Sequence, residues 1–309
     1  MPSNFYVGVD VGGTKISAAL ADHKGKILSR DKTATPRGAK PKQILKVITG
    51  VIKSVVAQRG LRLKDIRGVG LGAPGIIDPE GRRVVSAPNI SLSGYPLAGK
   101  LEKLLGLKVR LGNDVNLGVL GEQWLGGAKG ARNLVGIFPG TGVGGGVIVD
   151  GTLLLGAHGA AAELGHLIVD PAGPLCGCGN RGCLEAFSSR TAIEREIHRA
   201  RGERDKSRIK SKVLAKGLKR KDRIITRALR RASEHLGSAC VSLRHAFDPE
   251  LFLFGGGLIE ACGGFILPIV QRALDRDPFF KRVGRCRAVA SQLGDDAVLL
   301  GAVALARRP

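Results

Sequence analysis

Two glycine-rich turns, each set between short apolar runs, constrain this chain more than any other feature. Phe5 to Val11 reads as a buried strand, Asp10-Val-Gly12-Gly13-Thr14-Lys15 turns the chain, and Ile16 to Ala21 reads as the returning strand. The pattern recurs further on. Leu134 to Phe138 is a strand broken by Pro139, Gly140-Thr141-Gly142-Val143-Gly144-Gly145-Gly146 follows, and Gly145 to Val149 starts the next strand. Glycines at such a junction let backbone N–H groups approach an anion. Five glycines in seven residues would weaken a plain hairpin. The repeat predicts two similar halves, each with a phosphate-binding turn. Neither turn has the G-x-x-x-x-G-K-[ST] spacing, and neither leads into a helix as a dinucleotide fingerprint requires.

The rest of the chain alternates strands and helices. Pro41 opens a helix whose apolar positions Ile44, Val47, Ile48, Val51, Ile52 and Val55 repeat at helical spacing. Leu97 to Leu105, Val115 to Leu125, Thr191 to Arg201, Arg223 to Phe247, Gly263 to Leu274 and Asp295 to Ala306 also read as helices. Further strands are predicted at Lys26 to Thr33, Val69 to Leu71, Val109 to Leu111 and Leu251 to Phe254. The last ends in Gly255-Gly256-Gly257, where bare backbone could let a nucleoside pack. The class is α/β with two lobes, and 309 residues suffice for two domains. No apolar run looks long enough to cross a membrane, and the opening residues read as a strand rather than a signal peptide.

Glu163-Leu-Gly-His166 and Cys176-Gly-Cys178-Gly-Asn-Arg-Gly-Cys183-Leu-Glu185 place one imidazole and three thiols close together in sequence. That donor set suits a tetrahedral zinc. Four protein ligands leave no position for water, so the ion would be structural. The bland alternative is a disulfide or a set of buried thiols, but Cys176 and Cys178 are too close to pair comfortably. Cys240, Cys262 and Cys286 lie far apart, a usage that fits a reducing cytoplasm.

The chain is strongly basic, with 49 Lys and Arg against 26 Asp and Glu, a net charge of +23. Such a charge suits a polyanion, either nucleic acid or polyphosphate. Much of it gathers between Arg199 and Arg223, where no aromatic residue offers a base a stacking surface. That stretch reads as a solvated helical surface or an insertion, and nucleic acid is not an expected partner.

Taken together, Asp10-Val-Gly-Gly-Thr-Lys15, Gly72-Ala-Pro-Gly-Ile-Ile-Asp78, Asn113-Asp114-Val-Asn116, the Gly140 to Gly146 loop, Glu163-Leu-Gly-His166 and the Cys176 to Glu185 block resemble the ROK family of sugar kinases and sugar-responsive repressors. Within that family they look most like the bacterial ATP-dependent glucokinases. The resemblance implies a two-lobed actin-like ATPase (ribonuclease H-like) fold, with duplicated mixed sheets, flanking helices and an interlobe cleft. It implies an N-terminal lobe of residues 1–115 plus 295–309 and a C-terminal lobe of residues 116–294.

It also implies roles. Asp114 would be the general base that accepts the sugar's 6-hydroxyl proton as oxygen attacks the γ-phosphorus of MgATP. A helix N-cap is the structural alternative for Asp114. Asn89, Asn113, Asp114, Glu163, His166 and Glu185 would hold sugar hydroxyls. Asp10, Gly12, Gly13, Thr14 and Lys15 would serve the phosphates and Mg²⁺, with Gly140, Thr141 and Gly142 doing so from the other half. Gly255, Gly256 and Gly257 would flank the nucleoside. His166, Cys176, Cys178 and Cys183 would bind zinc, with the second imidazole nitrogen left for a hydroxyl. A homodimer or tetramer is the implied assembly. Other sugars, a polyphosphate donor and a regulatory role are the competing readings. A repressor of this family would carry a helix-turn-helix ahead of the first loop, and Asp10 leaves no room for one.

Overall fold

The computed structural model describes residues 4–87, 90–203 and 207–308. In chain order the elements are β1 (Phe5–Val11), β2 (Lys15–Asp22), β3 (Ile27–Ala34), α1 (Pro41–Ala57), β4 (Ile66–Ala73), β5 (Ile76–Ile77), β6 (Val84–Ser86), α2 (Leu97–Leu105), β7 (Val109–Asn113), α3 (Asp114–Leu125), β8 (Leu134–Pro139), β9 (Val143–Val149), β10 (Thr152–Leu153), α4 (Glu185–Ser188), α5 (Arg190–Arg201), α6 (Ser211–Lys219), α7 (Arg223–Phe247), β11 (Leu251–Phe254), α8 (Gly257–Arg276), β12 (Arg287–Ala290) and α9 (Asp296–Arg307). They divide into two compact units. The first runs to Gly130 and takes in Leu155–Ala161 and the chain from Leu293 onward; the second comprises Ala131–Leu154 and Ala162–Gln292.

The first unit is built on a five-stranded sheet ordered β3-β2-β1-β4-β7. β1, β2 and β3 form an antiparallel meander, while β4 and β7 run parallel to β1. α1 covers one face because its period brings Ile44, Ile48, Ile52 and Val55 to one side, all fully buried. Each such side chain contributes about 1.5–3 kcal/mol on leaving water. Glycines let α9 lie close to β4 and α3. A Cβ on Gly70 would stand 1.8 Å from the Ala302 carbonyl oxygen, and one on Gly301 would stand 1.7 Å from that of Leu117. The same close packing holds α3 in the first unit, so this unit extends past the boundary at residue 115 that the sequence suggested.

The second unit repeats the plan, with strands ordered β10-β9-β8-β11-β12. β8, β9 and β10 form the meander; β11 runs parallel to β8, and β12 parallel to β11. Residues of α5, α7 and α8 fill its core with Phe252 and Phe254. α8 departs from expectation at its start: it begins at Gly257, ahead of the Gly263-Gly264 pair, and runs through Pro268 as the predicted helix does. By length and composition alone it is also apolar enough to cross a membrane, but Leu258, Ile259, Cys262, Ile266, Val270 and Leu274 are buried in the second core. Its apolarity is that of a core helix.

Candidate active site and metal cluster

In the first unit, the ends of parallel strands collect the chemistry, as is usual for ligand sites of α/β sheets. Asp10 pairs with Gly72 of β4, and Ala73 of the same strand pairs with Asn113 of β7. Asp10 and Asp114 thus follow from strand ends on either side of β4. The charge of Asp114 is felt at Asp10. Burial, followed by the charge of Asp114, pushes the Asp10 carboxyl up to about 6. Asp114 is also raised, chiefly by burial, against a 2.9 Å hydrogen bond donated by the Val115 N–H.

The turn after Asp10 is braced on both sides. The Gly12 N–H donates to the Lys15 carbonyl at 2.9 Å, and the Thr35 hydroxyl donates to the Gly12 carbonyl at 2.6 Å. Lys15 Nζ reaches Asp295 at 3.3 Å. Asp114 sits in the first turn of α3 without capping it. The cap is Asn113, whose Oδ1 accepts from the Asn116 N–H at 3.0 Å. Asn113 Nδ2 donates to the Gly75 carbonyl at 3.0 Å, tying the end of β7, just ahead of Asp114, to the Pro74-Gly75 turn. Gly75 is at φ 93°, where a Cβ would also stand 2.0 Å from the Ser86 carbonyl oxygen. Asn89 lies outside the described residues.

In the second unit, the Gly140–Gly142 turn closes with a 2.8 Å hydrogen bond from Gly140 N–H to the Gly142 carbonyl. Glu185 backs this turn. One of its carboxylate oxygens accepts from the Val143 N–H at 2.9 Å, and the other lies 3.7 Å from Cys176 Sγ. Glu163 is exposed and precedes the short helical turn Leu164–His166. Gly255 to Gly257 join β11 to α8, with Gly256 in a left-handed conformation as its N-cap.

His166, Cys176, Cys178 and Cys183 converge, with all four donor atoms within 4.8 Å of one another. Cys176 Sγ lies 3.7 Å from His166 Nδ1, and Cys178 and Cys183 are 3.7 Å apart at sulfur. Ligand bonds of ~2.3 Å in a tetrahedron put donors roughly 3.7 Å apart, so the cluster has the dimensions and soft donors of a metal site. Without a cation, burial and the neighbouring thiols push Cys183 up to about 12, whereas a bound ion holds such sulfurs as thiolates. Because His166 presents Nδ1 to the cysteines, Nε2 is left for another partner.

Two site features were not read from the sequence. Arg190 and Arg208 both donate to the Thr141 hydroxyl, at 2.7 and 3.1 Å. Asp295 pairs with Lys15 of the first turn. A sequence separation of 280 residues gives no local signal for that pair.

The duplicated sheet, with carboxylates at its parallel strand ends, is the architecture of the actin-like ATPases. The model of the ROK family matches residues 6–309, and the chain belongs to that family. It is 36% identical to the glucokinase of Thermotoga maritima, over 99% of this chain and 98% of that one. The glucokinase of Streptomyces coelicolor is also 36% identical, over 98% of each chain. A solved structure of a ROK family glucokinase from Streptomyces griseus, in complex with glucose and AMPPNP, superposes with a TM-score of 0.80. It is 33% identical and matches 99% of this chain and 100% of that one.

Proposed function

We propose that this chain is an ATP-dependent glucose kinase that transfers the γ-phosphoryl group to the 6-hydroxyl. The observation that carries the mechanism is the paired placement of Asp10, near the end of β1, and Asp114, just past the end of β7, on one sheet. Asp114 takes the hydroxyl proton as the sugar oxygen bonds to phosphorus and the bond from phosphorus to the ADP oxygen breaks. A buried carboxyl with a raised pKa is a stronger base than a solvated one. Asn113 and its Gly75 contact hold Asp114's strand end in place. Asp10 offers a hard oxygen donor for Mg²⁺, which when bound offsets charge on the phosphates. Gly12, Gly13, Thr14 and Lys15 of one loop, and Gly140, Thr141 and Gly142 of the other, offer donors to phosphate oxygens. Gly255, Gly256 and Gly257 flank the nucleoside.

Glu163, His166 and Glu185, with Asn89 and Asn113, are assigned to the sugar hydroxyls. The cluster of His166, Cys176, Cys178 and Cys183 is assigned to zinc, which when bound fixes the fold of the loop that carries His166 and Glu185. We place the protein in the cytoplasm as a homo-oligomer; size-exclusion chromatography with light scattering tests the assembly.

A coupled assay on purified protein, with a panel of hexoses and with ATP or polyphosphate as donor, tests the reaction. Turnover with glucose and ATP is expected to exceed every other pair. Faster turnover of an N-acetylhexosamine would change the substrate, and failure of every pair would overturn the assignment.

A further inference from the structure

The basic stretch from Arg199 to Arg223 has no part in the reaction described so far, yet one of its residues reaches the second glycine loop. Arg208 Nη2 donates to the Thr141 hydroxyl at 3.1 Å, from 67 residues away in sequence. Arg190, the first residue of α5, donates to the same oxygen at 2.7 Å, and its backbone N–H holds the Gly140 carbonyl at 2.8 Å. Two guanidinium ions therefore meet on one neutral hydroxyl. Glu194 pairs with Arg190 at its Nε, 3.1 Å away, while Thr141 offers the two Nη2 groups lone pairs but no charge. A planar guanidinium fork is matched far better by the oxygens of a phosphate.

Past Arg208 the chain leads into α6. Lys210, Lys212, Ala215 and Lys216 line a cavity of about 660 Å³ whose opposite wall includes Gly257 and Ala261 of α8. That volume suits a nucleoside. The segment from Ser207 to Lys219 thus runs from the loop assigned to phosphate to the glycine cluster assigned to the nucleoside.

We propose that Arg190 and Arg208 clamp the phosphate chain of the nucleotide donor, and that α6 forms a wall of the nucleoside cavity. This rests on the reading of the chain as an ATP-dependent kinase whose second loop faces the phosphates. Arg208 and α6 are then part of the donor site rather than a solvated surface.

Steady-state kinetics at saturating sugar and calorimetric titrations with ADP, adenosine and inorganic tripolyphosphate test the proposal on the full chain. Arg208→Ala and Arg190→Ala should each raise the KM for ATP about tenfold or more, the loss expected for a charge-assisted contact. They should weaken ADP and tripolyphosphate binding, leave adenosine affinity and sugar KM unchanged, and be partly rescued by Arg208→Lys. Parallel losses for adenosine and ADP would make the arginines braces of the loop and overturn the proposal, as would unchanged ADP and tripolyphosphate binding. Arg208 is exposed, so its variant should fold even if the Arg190 variant does not. A wild-type protein that transfers phosphate to no sugar would refute the kinase reading alone, because ADP and tripolyphosphate titrations still decide the clamp.

Discussion

The Glu185 carboxylate accepts a hydrogen bond from the Val143 N–H at 2.9 Å, so one side chain joins the cysteine loop to the glycine loop of the second unit. Its other oxygen lies 3.7 Å from Cys176 Sγ. Metal loss should therefore be felt at the nucleotide as well as at the sugar. Cys178→Ser is expected to lose zinc, measured by elemental analysis, and to raise the KM for sugar and for ATP. Glu185→Ala should raise both constants while retaining the metal. A zinc-free variant with wild-type kinetics would make the ion a bystander.

Asp114→Asn separates binding from chemistry. The amide keeps the shape of the side chain and loses the ability to take a proton. Because Asn113 rather than Asp114 caps α3, the helix should be undisturbed. Glucose affinity measured by calorimetry is expected to stay near wild type, while kcat falls by roughly 10²- to 10⁴-fold. A kcat within about tenfold of wild type would remove Asp114 from the role of base.

The glycine loops and the metal cluster were legible in the sequence because their chemistry is local. Glycine marks where backbone must be bare, and four donors spread from His166 to Cys183 enclose one point. What escaped is non-local. α6 was hidden in a stretch read for its charge, although Leu214 is buried and its helix packs against α8. Strand β12 has only four residues and depends on β11 for its register. The first unit's claim on α3 rests on close approaches such as Gly301 to the Leu117 carbonyl, which no run of sequence displays. The meeting of Arg190 and Arg208 at Thr141 is of the same kind.

Asp10 gives a pH dependence with a definite sign. Its carboxyl is raised from the ordinary 3.8 to about 6 in the folded chain, chiefly by burial and then by the charge of Asp114. Between those values the folded protein binds more protons than the unfolded chain. Stability is therefore favoured at the acid end and falls as pH rises through about 6. Denaturation midpoints measured in metal-free buffer across this range should show that decline. Asp10→Asn should flatten it and should raise stability at neutral pH while abolishing turnover. A decline of the same slope in the variant would assign it to other groups.

Glu122 links α3 to the segment that leads into α9. It is fully buried, and its two oxygens accept from the Gly127 N–H at 2.7 Å and the Leu293 N–H at 2.8 Å. Glu122→Ala would leave both half-buried backbone donors without this acceptor. A buried donor that loses its partner costs about 1–3 kcal/mol. The substitution also opens space between two closely packed helices. The variant should therefore unfold at a clearly lower temperature, followed by calorimetry. Glu122→Gln keeps one oxygen and adds an amide donor, so it should restore only part of the loss. Because the first unit carries both Asp10 and Asp114, the Ala variant should lose kinase activity at the temperature where that unit melts, below the loss of α7 and α8 structure. A single transition unshifted from wild type would show that this carboxylate does not hold the C-terminal segment in place.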